Sequence, residues 1–253
     1  MPLHHVVDGG AGERVVLVHG FTQTLAAMKP LAGRLRDGHA VVRVDLPGHG
    51  GSAASRAGFA DAAALLGEVG GAATYLGYSL GGRLCLRLAL DRPDLVRALV
   101  LIGASPGLAD PAERAARRAS DEQLASELER VGVERFVVRW LAQPLFATLP
   151  PERAGRADRL TNTTRGLAAS LRLHGTGTQE PLWDRLATLR PPTLLIAGAR
   201  DAKFAALAER MAAAIGPSAT VALIQDAGHA AHLERPEEVA ALVRAFLAAT
   251  PAR

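Results

Sequence analysis

The chain has 253 residues, of which 49% are hydrophobic and 21% charged, as expected of one globular domain with a large core. No apolar run approaches the ~18 residues of a membrane span, and residues 1–5 lack a signal-peptide pattern, so we expect a cytoplasmic protein. The net charge of +4 comes from interspersed basic and acidic residues without a basic run, which disfavours nucleic-acid binding. The single cysteine, Cys85, excludes an intramolecular disulfide and is predicted to pack in the core.

Short β-branched runs alternate with helical patterns in the first hundred residues. The strands are predicted at residues 15–18, 40–44, 72–77 and 98–102. The helices between them are predicted at about 29–37, 59–69 and 83–90. Strands and helices that alternate at this spacing indicate a parallel, doubly wound α/β sheet.

The alternation stops near residue 105 and resumes near residue 190. Asp110, Pro111 and Glu113 form a helix-start pattern. Further helices are predicted near 132–142, 151–159, 164–174 and 180–189, followed by strand 193–196, helix 203–215, strand 220–224 and helix 236–249. We therefore expect an α/β core formed by residues 1–105 and 186–253, and an all-helical cap inserted over residues 106–185.

The stretch Gly77-Tyr78-Ser79-Leu80-Gly81-Gly82 lies between a predicted strand and a predicted helix. A Gly-x-Ser-x-Gly motif in this context is typical of a nucleophile elbow, where a strained turn exposes the serine hydroxyl at the edge of the sheet. Glycine is needed on either side because a Cβ would collide with the neighbouring strand or helix. Without partners for Ser79, however, the motif is only a glycine-rich turn.

Two candidate partners follow later strands. Asp201 comes after the 193–196 strand and His229 after the 220–224 strand, and the chain order Ser, Asp, His is the one expected of an α/β-hydrolase fold. A neutral histidine can take the proton of the serine, and the aspartate can orient the imidazole ring. The His-Gly turn before Phe21 matches an oxyanion loop, so the backbone N–H groups of Phe21 and Leu80 are predicted to bind a developing negative oxygen.

Other histidines carry weaker signals. His49 and His232 are interpreted as structural or substrate-adjacent, and His174 has no partner that the sequence reveals. No close cluster of histidines and carboxylates has the spacing of metal ligands, and no metal or other cofactor is expected.

Several segments of the chain resemble known families. Residues 19–21, 45–50, 77–82 and 227–229 resemble the α/β-hydrolase superfamily. A second set resembles the MenH family, the 2-succinyl-6-hydroxy-2,4-cyclohexadiene-1-carboxylate synthases of menaquinone biosynthesis. That set comprises residues 106–108, 113–118, 121, 139–149, 159, 162, 167–171, 175–177, 182–183, 201–204 and 228–234.

The resemblance implies a cofactor-independent lyase, with Ser79 activated by His229 and Asp201 to act as a base. Its substrate would be 2-succinyl-5-enolpyruvyl-6-hydroxy-3-cyclohexene-1-carboxylate, a polycarboxylate from which pyruvate is eliminated. Arginines suit such a substrate because they pair with carboxylates in a bidentate manner. The substrate contacts implied by the family pattern are Tyr78, Arg83, Arg117, Trp140, Arg159 and Lys203.

Alternative interpretations remain open from the sequence. The same triad fits a carboxylesterase or another acyl hydrolase, in which Ser79 would attack a carbonyl carbon. A binding protein that keeps the fold without catalysis is a third class. Taken alone, Arg83 suits the solvent face of its helix, Trp140 a core position, and Lys203 a helix start on the surface. Two departures from the family pattern are the absence of a tryptophan in residues 22–28 and a short N-terminus that lacks most of the leading hairpin.

Overall fold

The structure, a computed structural model, describes residues 2–250 and contains a seven-stranded sheet. The strands are β1 (His5–Val7), β2 (Arg14–Val18), β3 (Ala40–Val44), β4 (Ala73–Tyr78), β5 (Val96–Ile102), β6 (Thr193–Gly198) and β7 (Ala219–Ile224). Their spatial order is β1-β3-β2-β4-β5-β6-β7, and each neighbouring pair is parallel except β1 with β3. The predicted parallel α/β sheet is confirmed, and the carboxyl ends of β2, β4, β6 and β7 lie along one edge.

Helices cover both faces of this sheet. They are α1 (Lys29–Leu35), α2 (Phe59–Gly70), α3 (Leu80–Asp91), α4 (Pro111–Leu141), α5 (Arg156–Arg159), α6 (Thr164–His174), α7 (Ala202–Ile215), α8 (Ala231–Glu234) and α9 (Pro236–Ala249). Val16 of β2 belongs to the same apolar cluster as Leu84 of α3, whereas Val15 belongs to the opposite cluster with Val239 of α9. Successive strand residues point to opposite faces, so a strand covered on both sides consists of continuous apolar residues.

The segment between β5 and β6 consists of helices and turns. Asp110 caps α4, since its carboxylate accepts hydrogen bonds from the backbone N–H groups of Ala112 (2.6 Å) and Glu113 (2.9 Å). Gly132 interrupts α4 with φ 78° and ψ 168°, which divides it into two helical pieces. Two predicted helices are shorter than expected. In place of the helix at 151–159 there is a 3-10 turn at Pro151–Arg153 followed by α5, and in place of the helix at 180–189 there is a 3-10 helix at Trp183–Thr188. The core and cap limits at residues 105 and 186 stay a prediction.

One strand was not predicted. β1 pairs antiparallel with β3, with His5 opposite Val44 and Val7 opposite Val42, so a small part of the leading antiparallel structure is present. The strand has three residues and lies at the edge, where Val7 is 60% exposed, so its burial pattern is too short to be recognised in a sequence. Within residues 2–250, no helix combines the length and the apolar character that crossing a membrane requires.

Candidate active site

Ser79 occupies a sharp turn between the end of β4 and the start of α3. Its φ of 49° and ψ of −108° are a strained conformation for a residue with a side chain. A Cβ on Gly77 would lie 2.5 Å from the backbone of Gly81, and a Cβ on Gly81 would overlap the carbonyl oxygen of Val18. The two glycines are therefore required by close backbone approach, as the sequence predicted.

The structure brings His229 and Asp201 to Ser79. The Nε2 atom of His229 lies 3.3 Å from Ser79 Oγ, and its Nδ1 atom lies 2.9 Å from Asp201 Oδ2. A carboxylate oxygen accepts hydrogen bonds, so the contact assigns the N–H of the ring to Nδ1 and leaves Nε2 able to accept the serine proton. This arrangement can activate the hydroxyl as a base or as a nucleophile.

The aspartate is itself held in place. Asp201 precedes α7, its Oδ1 atom accepts a hydrogen bond from the backbone N–H of Phe204 (3.2 Å), and its own N–H donates to Gly198 O (3.0 Å). The ring of Phe204 then packs against that of His229, with 4.4 Å between ring centroids. One short segment thus orients the carboxylate and covers the histidine.

Glu234 supports the histidine from the other side, and sequence reasoning did not assign it this role. Its buried carboxylate accepts hydrogen bonds from the N–H groups of Gly228 (2.9 Å) and Ala230 (3.2 Å), the two neighbours of His229. The available signal was an acidic residue five positions after the histidine, in a segment that otherwise contains alanine, histidine and leucine.

The predicted oxyanion donors lie at the same place. Phe21 and Leu80 both line the cavity that contains Ser79. Within the described residues 2–250, neither backbone N–H donates a hydrogen bond to a protein acceptor. Two free N–H groups beside an activated hydroxyl form a site that can bind negative charge on a substrate oxygen.

The cavity beside Ser79 has a volume of about 200 Å³ and a cationic wall. Arg83, Arg117 and Lys203 line it together with Ser79, His229 and one carboxylate, that of Asp121. Three positive side chains around an activated serine favour a substrate that carries several carboxylates.

Arg83 is buried rather than solvent-facing, so the interpretation of Arg83 as a surface residue of α3 is wrong. It is 9% exposed and donates hydrogen bonds to Gln179 Oε1 (2.7 Å) and His174 O (2.8 Å). Burial and the nearby charge of Arg117 lower the pKa of Arg83 to about 9, which leaves it cationic at neutral pH. Arg117 is partly neutralised by Asp121, whose Oδ1 atom lies 2.8 Å from its Nε atom.

Comparison with known proteins identifies the family. The model of the alpha/beta hydrolase family matches residues 15–242. A 2-succinyl-6-hydroxy-2,4-cyclohexadiene-1-carboxylate synthase of Salmonella schwarzengrund is 36% identical over 249 residues, which cover 94% of this chain and 96% of the relative. The chain belongs to the MenH family of the α/β-hydrolase superfamily.

Solved structures agree with this assignment. The structure of MenH from S. aureus superposes with a TM-score of 0.92 at 32% identity and covers 97% of this chain and 98% of that one. A thermophilic esterase from Thermogutta terrifontis, solved with malate bound, has a TM-score of 0.83 at 25% identity and covers 99% of this chain and 94% of that one. The fold and the MenH resemblance predicted from the sequence are confirmed.

Two of the family-implied contacts, Tyr78 and Arg159, do not line the main cavity. Tyr78 and Arg159 border a smaller pocket of about 30 Å³ that adjoins Ser79, His229 and Trp140. Arg159 is buried, and its Nε atom donates to Ala154 O (2.8 Å) while its Nη1 atom donates to Phe21 O (3.3 Å) and to Thr22 Oγ1. Its Nη1 atom therefore holds Phe21 and Thr22, in the segment that contains the predicted oxyanion donor of this MenH-family chain.

For Trp140 and Lys203, the sequence left open a structural position or a substrate contact, and the structure is compatible with both. Trp140 packs against the rings of Phe21, Phe136 and Phe146, with centroids 5.1–6.0 Å apart, and also lines the main cavity. Lys203 lies in the first turn of α7 and lines the same cavity. Trp140 is thus a partly buried residue that packs against the apolar core and has one side at the site.

Four other histidines, His19, His49, His174 and His232, are buried, and burial lowers the pKa of each. Burial lowers the pKa of His174 to about 4 and that of His232 to about 3. Burial likewise lowers the pKa of His19 and, further, that of His49. The structure supplies the partner that the sequence did not reveal for His174, whose Nε2 atom donates to Ala57 O (2.9 Å). Across residues 2–250, no group of histidine, cysteine and acidic residues has the arrangement of a metal site.

Proposed function

We propose that this protein is a 2-succinyl-6-hydroxy-2,4-cyclohexadiene-1-carboxylate synthase of menaquinone biosynthesis. It eliminates pyruvate from 2-succinyl-5-enolpyruvyl-6-hydroxy-3-cyclohexene-1-carboxylate, and the reaction class is that of a carbon–oxygen lyase. The observation that supports this most is one cavity in a MenH-family chain that contains an activated Ser79 together with Arg83, Arg117 and Lys203.

The substrate and product define the bonds that change. The ring proton at position 2 is acidic because it lies next to the ketone of the succinyl group. Its removal shifts the ring double bond from positions 3 and 4 and expels the enolpyruvyl oxygen from position 5, which yields the 2,4-diene. The released enolpyruvate takes up a proton to become pyruvate. No oxidation or reduction occurs, so the reaction needs no redox cofactor.

The triad supplies the base in this reaction. Ser79 Oγ takes the ring proton while its own proton passes to His229 Nε2 at 3.3 Å. Asp201, bonded to Nδ1 at 2.9 Å, stabilises the imidazolium that forms. The proton held on His229 can then be returned to the departing enolpyruvate, which balances the reaction.

The oxyanion donors and cations act on the charges of the substrate. Negative charge develops on the ketone oxygen as the proton leaves, and the N–H groups of Phe21 and Leu80 are free to bind it. The substrate carries three carboxylates, which Arg83, Arg117 and Lys203 can bind at the same cavity. Binding through groups remote from position 2 orients the acidic proton toward Ser79.

An acyl hydrolase is the alternative function. The likeness to the esterase of Thermogutta terrifontis favours it, because the same triad geometry also suits attack on a carbonyl carbon. A simple esterase substrate, however, offers no partners for the cations of this cavity.

The test is pyruvate release from the enolpyruvyl substrate by the purified protein, followed with lactate dehydrogenase. We expect turnover that is lost in Ser79→Ala at unchanged fold. Rapid hydrolysis of p-nitrophenyl esters with no pyruvate release would instead support the acyl hydrolase.

A further inference from the structure

The oxyanion loop, residues 20–24, contacts a turn of the helical segment between β5 and β6. Asp158 accepts hydrogen bonds from the N–H of Thr24 (3.2 Å) and from its hydroxyl. Arg159 binds the carbonyl oxygen of Phe21, and the Nδ2 atom of Asn162 donates to the carbonyl oxygen of Thr22 at 2.7 Å. Asp158, Arg159 and Asn162 therefore hold three residues of the loop: Phe21, Thr22 and Thr24.

The loop needs this support because its conformation is strained. Thr22 has a φ of 67°, in the left-handed region that a β-branched side chain disfavours. The core side holds the loop through His49 Nε2, which accepts from Thr22 N at 3.3 Å, and through Gln23 Oε1, which accepts from Gly20 N at 2.8 Å. The contacts from Asp158, Arg159 and Asn162 hold the loop from its other side.

Each peptide group around the Phe21 N–H is fixed by a partner. The carbonyl of Gly20, which shares the peptide of that N–H, accepts from His19 Nδ1 (2.8 Å) and from Gln23 N (3.2 Å). The next peptide is bound by His49 at its N–H and by Arg159 at its carbonyl, and the following carbonyl is bound by Asn162. The Phe21 N–H is left pointing at no protein acceptor within residues 2–250.

Asn162 is the residue of this turn whose side chain bonds both to the core loops and to the turn itself. It is 5% exposed and is the single asparagine of the sequence. Its Oδ1 atom accepts from Gly50 N (2.9 Å) in the loop after β3, while Nδ2 donates to Thr22 O and to Arg159 O (3.1 Å). An amide, with an acceptor and two donors, satisfies all three contacts.

We infer that Asn162 is a positioning residue for the oxyanion site, so that this site is complete only when the helical segment is docked on the loop. The inference rests on the proposed use of the Phe21 N–H as an oxyanion donor. Through Asn162, the helical segment that contains Arg117 would also position the Phe21 N–H, the group proposed to stabilise the developing charge. Asn162 acts through the loop and does not line the cavity.

Two variants separate the contacts of Asn162. Asn162→Ala removes them all, whereas Asn162→Asp keeps the shape and the acceptor for Gly50 N but cannot donate to Thr22 O. The matched control is Thr163→Ala, which removes the N-cap of α6, a hydrogen bond from Gly166 N at 3.0 Å, without touching the loop. All three variants are expected to melt a few degrees below the wild type.

The measurements are kcat and KM for pyruvate release, and amide hydrogen exchange of the peptide that covers residues 20–24. We expect kcat to fall about 10- to 100-fold in both Asn162 variants with KM within about threefold, because a displaced oxyanion donor acts on the transition state. Exchange of the loop should be about tenfold faster in both. Thr163→Ala should keep kcat within about twofold and leave loop exchange unchanged.

The outcomes distinguish this inference from the proposed function. If the wild type releases no pyruvate, the proposed function fails, and hydrolysis of p-nitrophenyl acetate together with the substrate-free exchange experiment still decides the role of Asn162. Unchanged loop exchange and kcat in Asn162→Asp would overturn the inference. An equal loss of kcat in Thr163→Ala would also overturn it, since it would assign the effect to the stability of the helical segment alone.

Discussion

Replacing Arg83 by methionine is expected to lower activity and raise stability. Methionine has a similar length and no charge, so Arg83→Met removes the guanidinium without opening a large cavity. In the described part of the chain, that guanidinium is buried beside Arg117 and bonded only to the neutral oxygens of Gln179 and His174. Asp121 offsets part of this charge, and the two consequences follow from the positive charge that remains.

The effect on stability can be worked from the pKa. Burial and Arg117 lower the pKa of Arg83 to about 9, several pKa units below the usual value of a guanidinium, which corresponds to roughly 5 kcal/mol of unfavourable free energy for the charged form. The two hydrogen bonds of Arg83 offset part of this, at about 1.5 kcal/mol each. The net gain for Arg83→Met is therefore about 2 kcal/mol, or roughly 4–8 °C in Tm for a chain of this size.

The effect on activity has the opposite sign. Loss of a charge-assisted contact to a substrate carboxylate costs about 3 kcal/mol, which is about 100-fold in kcat/KM. Coupled pyruvate release measures kcat/KM, and thermal unfolding of the free protein measures Tm. The matched control is Arg87→Met, one turn further along α3, where the arginine pairs with Asp91 and Glu180 outside the cavity. We expect the control to keep its activity and to gain no stability.

A result in which Arg83→Met keeps kcat/KM within threefold of the wild type would refute the anion-binding role of Arg83. A lower Tm with intact activity would also show that Arg83 is a structural residue of the helix contact. The two measurements therefore test the charge argument independently.

Two further variants probe the supports of the site. Glu234→Gln should lower kcat about tenfold, because the single oxygen of an amide cannot replace both carboxylate oxygens that accept from the N–H groups beside His229. The control is Glu237→Gln, at an exposed position in the next helix, which should leave kcat unchanged. Equal kcat values for the two variants would contradict the support role of Glu234. His232→Phe should reduce the loss of folding stability at acidic pH. Burial holds the pKa of His232 near 3, so from about pH 6.5 downward the unfolded state binds a proton that the folded state does not, and stability falls by about 1.4 kcal/mol per pH unit. Urea unfolding at pH 6.5 and 5 should show a loss about 2 kcal/mol smaller in His232→Phe than in the wild type, and parallel pH profiles would contradict this.

The elements that follow from local pattern were predictable from the sequence. Buried parallel strands are continuous apolar runs, and chemistry-bearing residues follow their carboxyl ends, which is why Ser79, Asp201 and His229 could be named together. The structure places the His229 ring within hydrogen-bonding distance of both Ser79 and Asp201. Their catalytic role stays a prediction for the assays above.

The contacts that depend on long-range geometry were not predictable. Glu234 and Asn162 bond to backbone groups, and a backbone acceptor or donor leaves no complementary residue type in the sequence to search for. Arg159 was assigned to the substrate from the family pattern, yet its bonds to the oxyanion loop depend on how the helical segment docks. β1 escaped prediction because three residues are too few to show a period.

Several unfavourable features of this fold lie at or beside one cavity. Ser79 and Thr22 both have positive φ values, and Arg83 lies buried beside Arg117. Strain and unneutralised charge persist only where the surrounding structure enforces them. A polycarboxylate entering the cavity would neutralise the cations while the strained turns already hold Oγ and the N–H donors in place. The buried positive charge therefore destabilises the free protein, and substrate binding removes that destabilisation. This is why Arg83 is expected to lower Tm and to raise kcat/KM.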